Sequence, residues 1–264
     1  MLDPHGPIGA AERVILLDAT AIMLAVVLPV IALTLAVAWW FRAGNAKAAY
    51  LPDWQFSGRV ELVVWSIPTL IVAFLGGMAW IGSHDLDPKA PIVSGAPAID
   101  IQVVSLDWKW LFIYPALGIA SVNRLVVPAG APLRFELTSA SVMNSFLVPD
   151  LGSQIYAMSG MTTRLQLLAD GAGTHPGLSA QFSGDGFSDM RFDLVALDKP
   201  GFDDWVKTTR SEGGKLDAQS YAQLARPGNA ATASAYGDVA PGLFEAAVAD
   251  ASKPAMTDAT PAGK

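Results

Sequence analysis

The hydrophobic pattern of the first third of the chain differs from that of the rest. Two runs, residues 19–41 and 62–83, contain no charged residue, and no comparable run follows them. A helix rises about 1.5 Å per residue, so about 20 apolar residues cross a hydrocarbon layer of about 30 Å. The pattern therefore predicts a transmembrane hairpin over residues 14–84, with spans at about 14–41 and 60–83.

A different pattern begins after a proline-rich stretch. Residues 85–98 include DPKAPIVSGAPA, which is typical of a linker. Between residues 99 and 198, short runs such as IDIQVVSL and MRFDLVAL alternate apolar and polar positions and are separated by Gly and Pro. A period of two with frequent turns predicts an all-β sandwich of about a hundred residues.

The two ends of the chain are predicted to be less regular. Residues 199–250 contain short amphipathic segments, including GFDDWVKTTR and PGLFEAAVAD, which indicate a helical segment. Residues 251–264 are small and polar, so we expect a disordered tail. Residues 1–13 form an N-terminal tail that lacks the basic and apolar regions of a signal peptide, and lipidation of a precursor is left open.

Positive charge near the spans predicts their orientation. The segment between the spans carries Arg42, Lys47 and Arg59, whereas Arg13 alone precedes the first span. Cytoplasmic loops are enriched in Lys and Arg. We therefore expect this loop to be cytoplasmic and both termini to lie outside.

Composition excludes several classes of function. From residue 91 onward there are 12 Lys and Arg against 17 Asp and Glu, so a nucleic-acid-binding stripe is not expected. The chain has no cysteine, which removes disulfides and thiolate metal sites. Its three histidines are far apart in sequence: we expect His84 at the membrane interface and His175 in an exposed loop without a ligand role.

Four segments carry a resemblance to a known family: VVWSIPTLIV, VVSLDWKWLFIYP, SVMNSFLVPDLGSQIYAMSGMTTRL and SAQFSGDGFSDMRF. They resemble subunit II of the haem-copper terminal oxidases, in particular the branch of the cytochrome bo-type ubiquinol oxidases. The resemblance implies a fold with an N-terminal two-helix transmembrane hairpin, an all-β cupredoxin-like sandwich and short C-terminal helices.

The same resemblance identifies positions where a copper site has been lost. In the cytochrome c oxidase branch, the sandwich holds a dinuclear copper centre through His, Cys and Met. Here Asn144 stands at the position of a ligand His and Phe182 at that of the first Cys, while Met190 remains as a possible remnant. A thioether alone cannot hold two coppers. We therefore expect no catalytic, cofactor-binding or metal-binding residue in this chain.

The implied function is that of a structural and assembly subunit of a proton-pumping quinol oxidase in a bacterial inner membrane. Haems and a copper ion are expected in subunit I, and ubiquinol rather than cytochrome c is expected as the electron donor. The expected partners are subunit I, the other oxidase subunits and the lipid bilayer. Candidate residues for subunit contacts are Trp108, Trp110, Tyr114, Gly76 and Gly77.

Two alternatives stay open from the sequence. A subunit II that still binds copper would be revealed by metal analysis. A membrane-tethered β-sandwich adaptor or copper chaperone outside an oxidase would not co-purify with haem and quinol-oxidase activity.

Overall fold

A computed structural model describes residues 2–49, 51–228 and 233–251. The chain divides into two units. One comprises Ala11–Asp87, and the other combines the N-terminal segment up to Ala10 with the chain from Pro88 onward. The predicted tail at 251–264 lies outside the described residues, apart from its first residue.

Two long helices form the first unit: α2 (Gly58–Asp85) and all but the first turn of α1 (Pro7–Trp40). Both are long and apolar enough to cross a membrane, and the most hydrophobic stretch of each has no buried residue. Exposed aliphatic side chains along a whole helix are stable in lipid rather than in water. The helices approach closely where a Cβ on Gly82 would lie 2.8 Å from Ile15.

The second unit is a β-sandwich. Its strands are β1 (Ile99–Leu106), β2 (Lys109–Tyr114), β3 (Ile119–Val122), β4 (Arg124–Pro128), β5 (Leu133–Ser139), β6 (Asn144–Val148), β7 (Gly152–Ala157), β8 (Thr163–Leu167), β9 (Gly173–Ser179), β10 (Arg191–Leu197), β11 (Gly214–Leu216) and β12 (Ser234–Val239). Among the described residues, one sheet has the order β11-β12-β3-β2-β1-β5-β8 and the other β4-β10-β9-β6-β7. The core lies between the sheets.

Strand β2 shows how the sandwich is covered on both sides. All six of its residues are buried. Trp110, Phe112 and Tyr114 face the core between the sheets, whereas Leu111 and Ile113 belong to a second apolar cluster on the outer face. A strand buried on both faces needs a second covering layer.

The C-terminal segment supplies that layer. It contains α3 (Lys199–Glu212), α4 (Ala218–Leu224) and α5 (Leu243–Ala251). Leu243, Phe244 and Ala247 of α5 are buried in the outer cluster. This segment also contributes β11 and β12 to the larger sheet, which the sequence pattern did not predict. The hairpin of apolar helices, the sandwich and the short C-terminal helices confirm the predicted fold class.

Candidate functional site

Four connections meet at one end of the sandwich. The start of β6 lies beside the ends of β7 and β9, because Asn144 pairs with Ala157 and Phe146 with Ser179. The turn after β1 lies beside the segment after β5, since these strands run parallel, and Ser141 hydrogen-bonds to Asp107. We call this end, formed by residues 107–108, 140–143, 158–162 and 180–190, the loop end.

Asn144 lies buried at the loop end. Its side-chain oxygen accepts a hydrogen bond from the Ser179 hydroxyl at 2.9 Å, and its amide nitrogen donates to the Val142 carbonyl at 3.3 Å. Both polar atoms of the side chain therefore have partners within the chain. A buried amide that is satisfied in this way fixes the local structure.

Met190 is buried next to this network, and Phe182 is not. The Ser179 amide donates to the Met190 carbonyl at 3.1 Å, and the Met190 sulfur lies 3.9 Å from the Ser183 hydroxyl. Phe182 is 71% exposed and makes an edge contact with Phe187 of the short 3-10 helix Phe187–Asp189. The structure thus brings Asn144 and Met190 together and turns Phe182 outward.

Trp108 anchors the 180–190 loop. Its indole N–H donates to the Ser183 carbonyl at 3.0 Å, and its ring lies against Gly184. Gly184 has a φ of +103°, which a side chain rarely adopts. Trp108 was predicted from the sequence to contact another subunit, and the fold places it beside Gly184.

Two of the predicted contact residues need correction. Trp110 is buried between Phe146 and Phe192, with ring centroids 5.4 and 5.8 Å away. Tyr114 is buried against Trp205. Both residues alternate onto the inner face of β2, so their side chains stabilise the core and do not reach another subunit.

The glycines in α2 stay a prediction. A Cβ at Gly76 or Gly77 would meet no atom within 4 Å among the described residues. Small residues let helices approach closely in a membrane. The space beside these two glycines is compatible with the expected helix contact.

The loop end carries apolar surface that the sequence did not single out as exposed. Val142, Met143, Met161 and Phe182 are all exposed there, and Tyr156 on β7 is exposed near them. Contiguous exposed apolar groups on a folded domain mark interaction sites. The motif SVMNSF could have indicated this surface, because its Val and Met lie just before strand β6 and outside the alternating pattern that predicts burial.

The prediction that His175 lies in an exposed loop was wrong. This residue lies on β9 and is only 4% exposed, at the end of the sandwich opposite the loop end. The neighbouring Gly and Pro indicated a loop, but the segment pairs with β10. His84 lies in the last turn of α2, where its Nδ1 is 2.8 Å from the Trp80 carbonyl oxygen.

Comparison with known proteins identifies relatives over most of the chain. The family described as the periplasmic domain of cytochrome c oxidase subunit II matches residues 100–196, and the COX aromatic-rich motif matches residues 210–254. Cytochrome bo(3) ubiquinol oxidase subunit 2 of Pseudomonas aeruginosa is 47% identical over 92% of this chain and 74% of its own length. Ubiquinol oxidase subunit 2 of Acetobacter aceti is 45% identical over 94% of this chain and 81% of its own length.

A solved structure is similar to part of the chain. The periplasmic domain of subunit II of cytochrome oxidase from Bradyrhizobium japonicum is 23% identical, with a TM-score of 0.42, and the match covers 46% of this chain and 97% of that domain.

Proposed function

The chain belongs to the family of subunit II of the bacterial ubiquinol oxidases, and we propose that it is the subunit that caps and assembles such an oxidase without carrying electrons. Its membership makes it a quinol oxidase subunit and an inner-membrane protein. The proposal concerns the further steps: the loss of the dinuclear copper centre, the surface that docks on subunit I and the topology in the membrane.

The main support for the proposal is that the side chains at the loop end cannot ligate a dinuclear copper centre. A dinuclear copper centre needs bridging thiolates and imidazoles, and the chain contains no cysteine. Asn144, at the position of a ligand His, instead uses its side-chain atoms to hold Ser179 and Val142. The residues present do not fit the copper centre, so no electron transfer is assigned to this domain.

A quinol donor removes the need for such a centre. Ubiquinol dissolves in the bilayer and delivers its electrons there, whereas cytochrome c delivers them from the aqueous side. The haems and the copper ion of oxygen reduction are accordingly assigned to subunit I.

The loop end is the proposed docking surface for subunit I. Trp108 and the Gly184 loop form its centre, and the exposed side chains of Val142, Met143 and Phe182 supply apolar area. Interfaces are built around buried aromatic anchors.

The membrane topology completes the proposal. The two apolar helices cross the bilayer, the segment with Arg42, Lys47 and Arg59 stays in the cytoplasm, and both termini lie in the periplasm. Lipid-facing side chains of α1 and α2 explain their exposure within the isolated chain.

Oxygen consumption by the purified complex tests the proposal. Ubiquinol and reduced cytochrome c are each offered as the only electron donor to the complex that contains this chain. We expect oxygen uptake with ubiquinol and none above background with cytochrome c. Uptake with cytochrome c, or separation of this chain from the haem-bearing subunit in mild detergent, would contradict it.

A further inference from the structure

His5, Asp150 and His175 come together from three distant parts of the sequence. One ligand atom from each side chain lies within 4.8 Å of those of the other two. All three residues belong to the unit that contains the sandwich. We propose that they bind a divalent transition-metal ion of the zinc class, at the end of the sandwich opposite the loop end.

The backbone holds the N-terminal segment in place at this site. The His5 amide donates to the Asp150 carbonyl at 2.7 Å, and the Asp170 amide donates to the His5 carbonyl at 2.9 Å. The chain also approaches closely at Gly6, where a Cβ would lie 2.3 Å from the Leu168 carbonyl oxygen. His5 is therefore brought to the site by main-chain contacts that do not depend on its imidazole.

The distance between His175 and Asp150 suits a shared ion better than a direct ion pair. Nδ1 of His175 and Oδ2 of Asp150 are 3.3 Å apart. A charge-assisted hydrogen bond would be about 2.7–2.9 Å long. In a tetrahedral site with metal–ligand bonds of about 2.0–2.1 Å, neighbouring ligand atoms are about 3.4 Å apart.

The three proposed ligands differ in burial, which decreases from His175 through Asp150 to His5. His175 is almost fully buried, the Asp150 side chain is 31% exposed and His5 is exposed. The inner side of the site is thus fixed by the sandwich, and the outer ligand can close over an ion by rotating its side chain. The exposed side leaves a path for entry and a position for a water ligand.

The surroundings of the His175 ring leave Nδ1 available to a metal. Its other nitrogen, Nε2, is buried and has no hydrogen-bond partner in the part of the chain that the structure describes. It lies beside Gly173, which has no side chain to supply a partner. Nδ1, which faces Asp150 at 3.3 Å, is therefore the nitrogen of His175 that an ion can reach, and an ion bound there would place the ring proton on Nε2.

The ligand types define the class of metal. Two imidazoles and one carboxylate are typical of zinc and similar borderline ions, whereas calcium and magnesium prefer oxygen ligands alone. Such an ion would join the N-terminal segment to the segments after β6 and along β9. In a chain without cysteine, it would provide the long-range cross-link that a disulfide provides elsewhere.

Zinc titration of the full chain, purified alone in detergent and stripped with a chelator, tests this proposal. We expect one equivalent of Zn²⁺ to bind, measured by isothermal titration calorimetry, and to raise the melting temperature. His5→Ala removes an exposed ring and Asp150→Asn preserves shape, so both should fold. Loss of a group that only hydrogen-bonds to a metal ligand lowers metal affinity by about 10–100-fold. Each of these variants loses a ligand itself, so its zinc affinity should fall by at least about 10-fold.

The third histidine of the chain supplies the matched control. His84→Ala should bind zinc as the parent does, because His84 lies in α2 and belongs to the other unit. Co²⁺ serves as a second probe, whose visible bands are intense in a four-coordinate site and should disappear in His5→Ala. The proposal is overturned if the parent binds no zinc, or if His5→Ala binds it as tightly as the parent.

Discussion

The hydroxyl of Tyr114 forms two hydrogen bonds with the backbone of Val126, donating to its carbonyl at 2.8 Å and accepting from its amide at 2.9 Å. Tyr114 lies on β2 of the larger sheet and Val126 on β4 of the smaller one. All of these atoms are buried, so no water can replace either bond. One side chain therefore ties the two sheets together.

Tyr114→Phe is expected to destabilise the chain by about 2–3 kcal/mol, because it leaves a buried amide and carbonyl of Val126 without their partner. Denaturant unfolding of the full chain in detergent, followed by circular dichroism, measures the change. Tyr156→Phe is the control: that tyrosine is exposed, and its loss should change stability by less than about 0.5 kcal/mol. Equal stability of the two variants would show that the link between the sheets contributes nothing.

Stability should fall at alkaline pH. Burial raises the pKa of Tyr221 to about 12 and raises the pKa of Tyr114 further above its ordinary value of 10. Above about pH 10 the unfolded chain releases these protons while the folded chain keeps them, so the free energy of unfolding decreases as pH rises. The lowered pKa of Lys109, caused by burial, acts in the opposite direction.

Variants separate these contributions. Between about pH 10 and 12, Tyr221→Phe and Tyr114→Phe should each lose less stability with rising pH than the parent does. Below pH 9 the slopes of all three proteins should coincide. A steeper alkaline loss in either variant than in the parent would contradict the assignment.

Gly177 is expected to be intolerant of any side chain. A Cβ there would lie 2.1 Å from the Phe192 ring, and Phe192 stacks on Phe146 in the core with centroids 5.0 Å apart. Gly177→Ala should therefore cost at least about 1–3 kcal/mol through overpacking. Gly171→Ala is the matched control, because a Cβ there meets nothing within 4 Å, and its stability should equal or slightly exceed that of the parent. Denaturant unfolding curves of the two variants measure the difference in stability. If Gly177→Ala were as stable as the parent, the close packing of Phe192 on Gly177 would be refuted.

Phe182→Asp is expected to weaken assembly without affecting the fold. The side chain is exposed on the loop end, so the isolated chain should unfold as the parent does. Burial of a charge at an interface centre should reduce association with subunit I by about 10-fold or more. Val93→Asp, at a residue that is 95% exposed outside the loop end, is the control and should assemble normally. Retention of the chain during purification of the complex in mild detergent measures the difference, and equal retention of the two variants would exclude the loop end as the contact.

The hydrophobic pattern of the sequence was enough to predict the two long helices and several of the strands. The charge-free runs gave the two helices, and the alternation in IDIQVVSL and MRFDLVAL gave strands β1 and β10. The family resemblance then supplied the type of sandwich. These elements bury one face or lie in lipid, and either environment leaves a regular pattern of apolar residues in the sequence.

Features that depend on tertiary contacts were not predictable in the same way. The segment GTHPGLS has the composition of a loop, yet it forms β9 because Gly177 lets Phe192 approach and Pro176 lies opposite Asp193 in the ladder. Trp110 and Tyr114 were assigned to a surface, but the rings that cover them lie on distant parts of the chain: Phe146 and Phe192 pack on Trp110, and Trp205 packs on Tyr114. The meeting of His5 with His175 likewise requires the folded chain.

The most direct test of the account is electron paramagnetic resonance of the purified oxidase and of this chain alone. A sandwich whose ligand positions are occupied by Asn144 and Phe182 should show no mixed-valence dinuclear copper signal, even after incubation with excess copper. Detection of that signal, or of its purple absorption, in this chain would contradict the central claim.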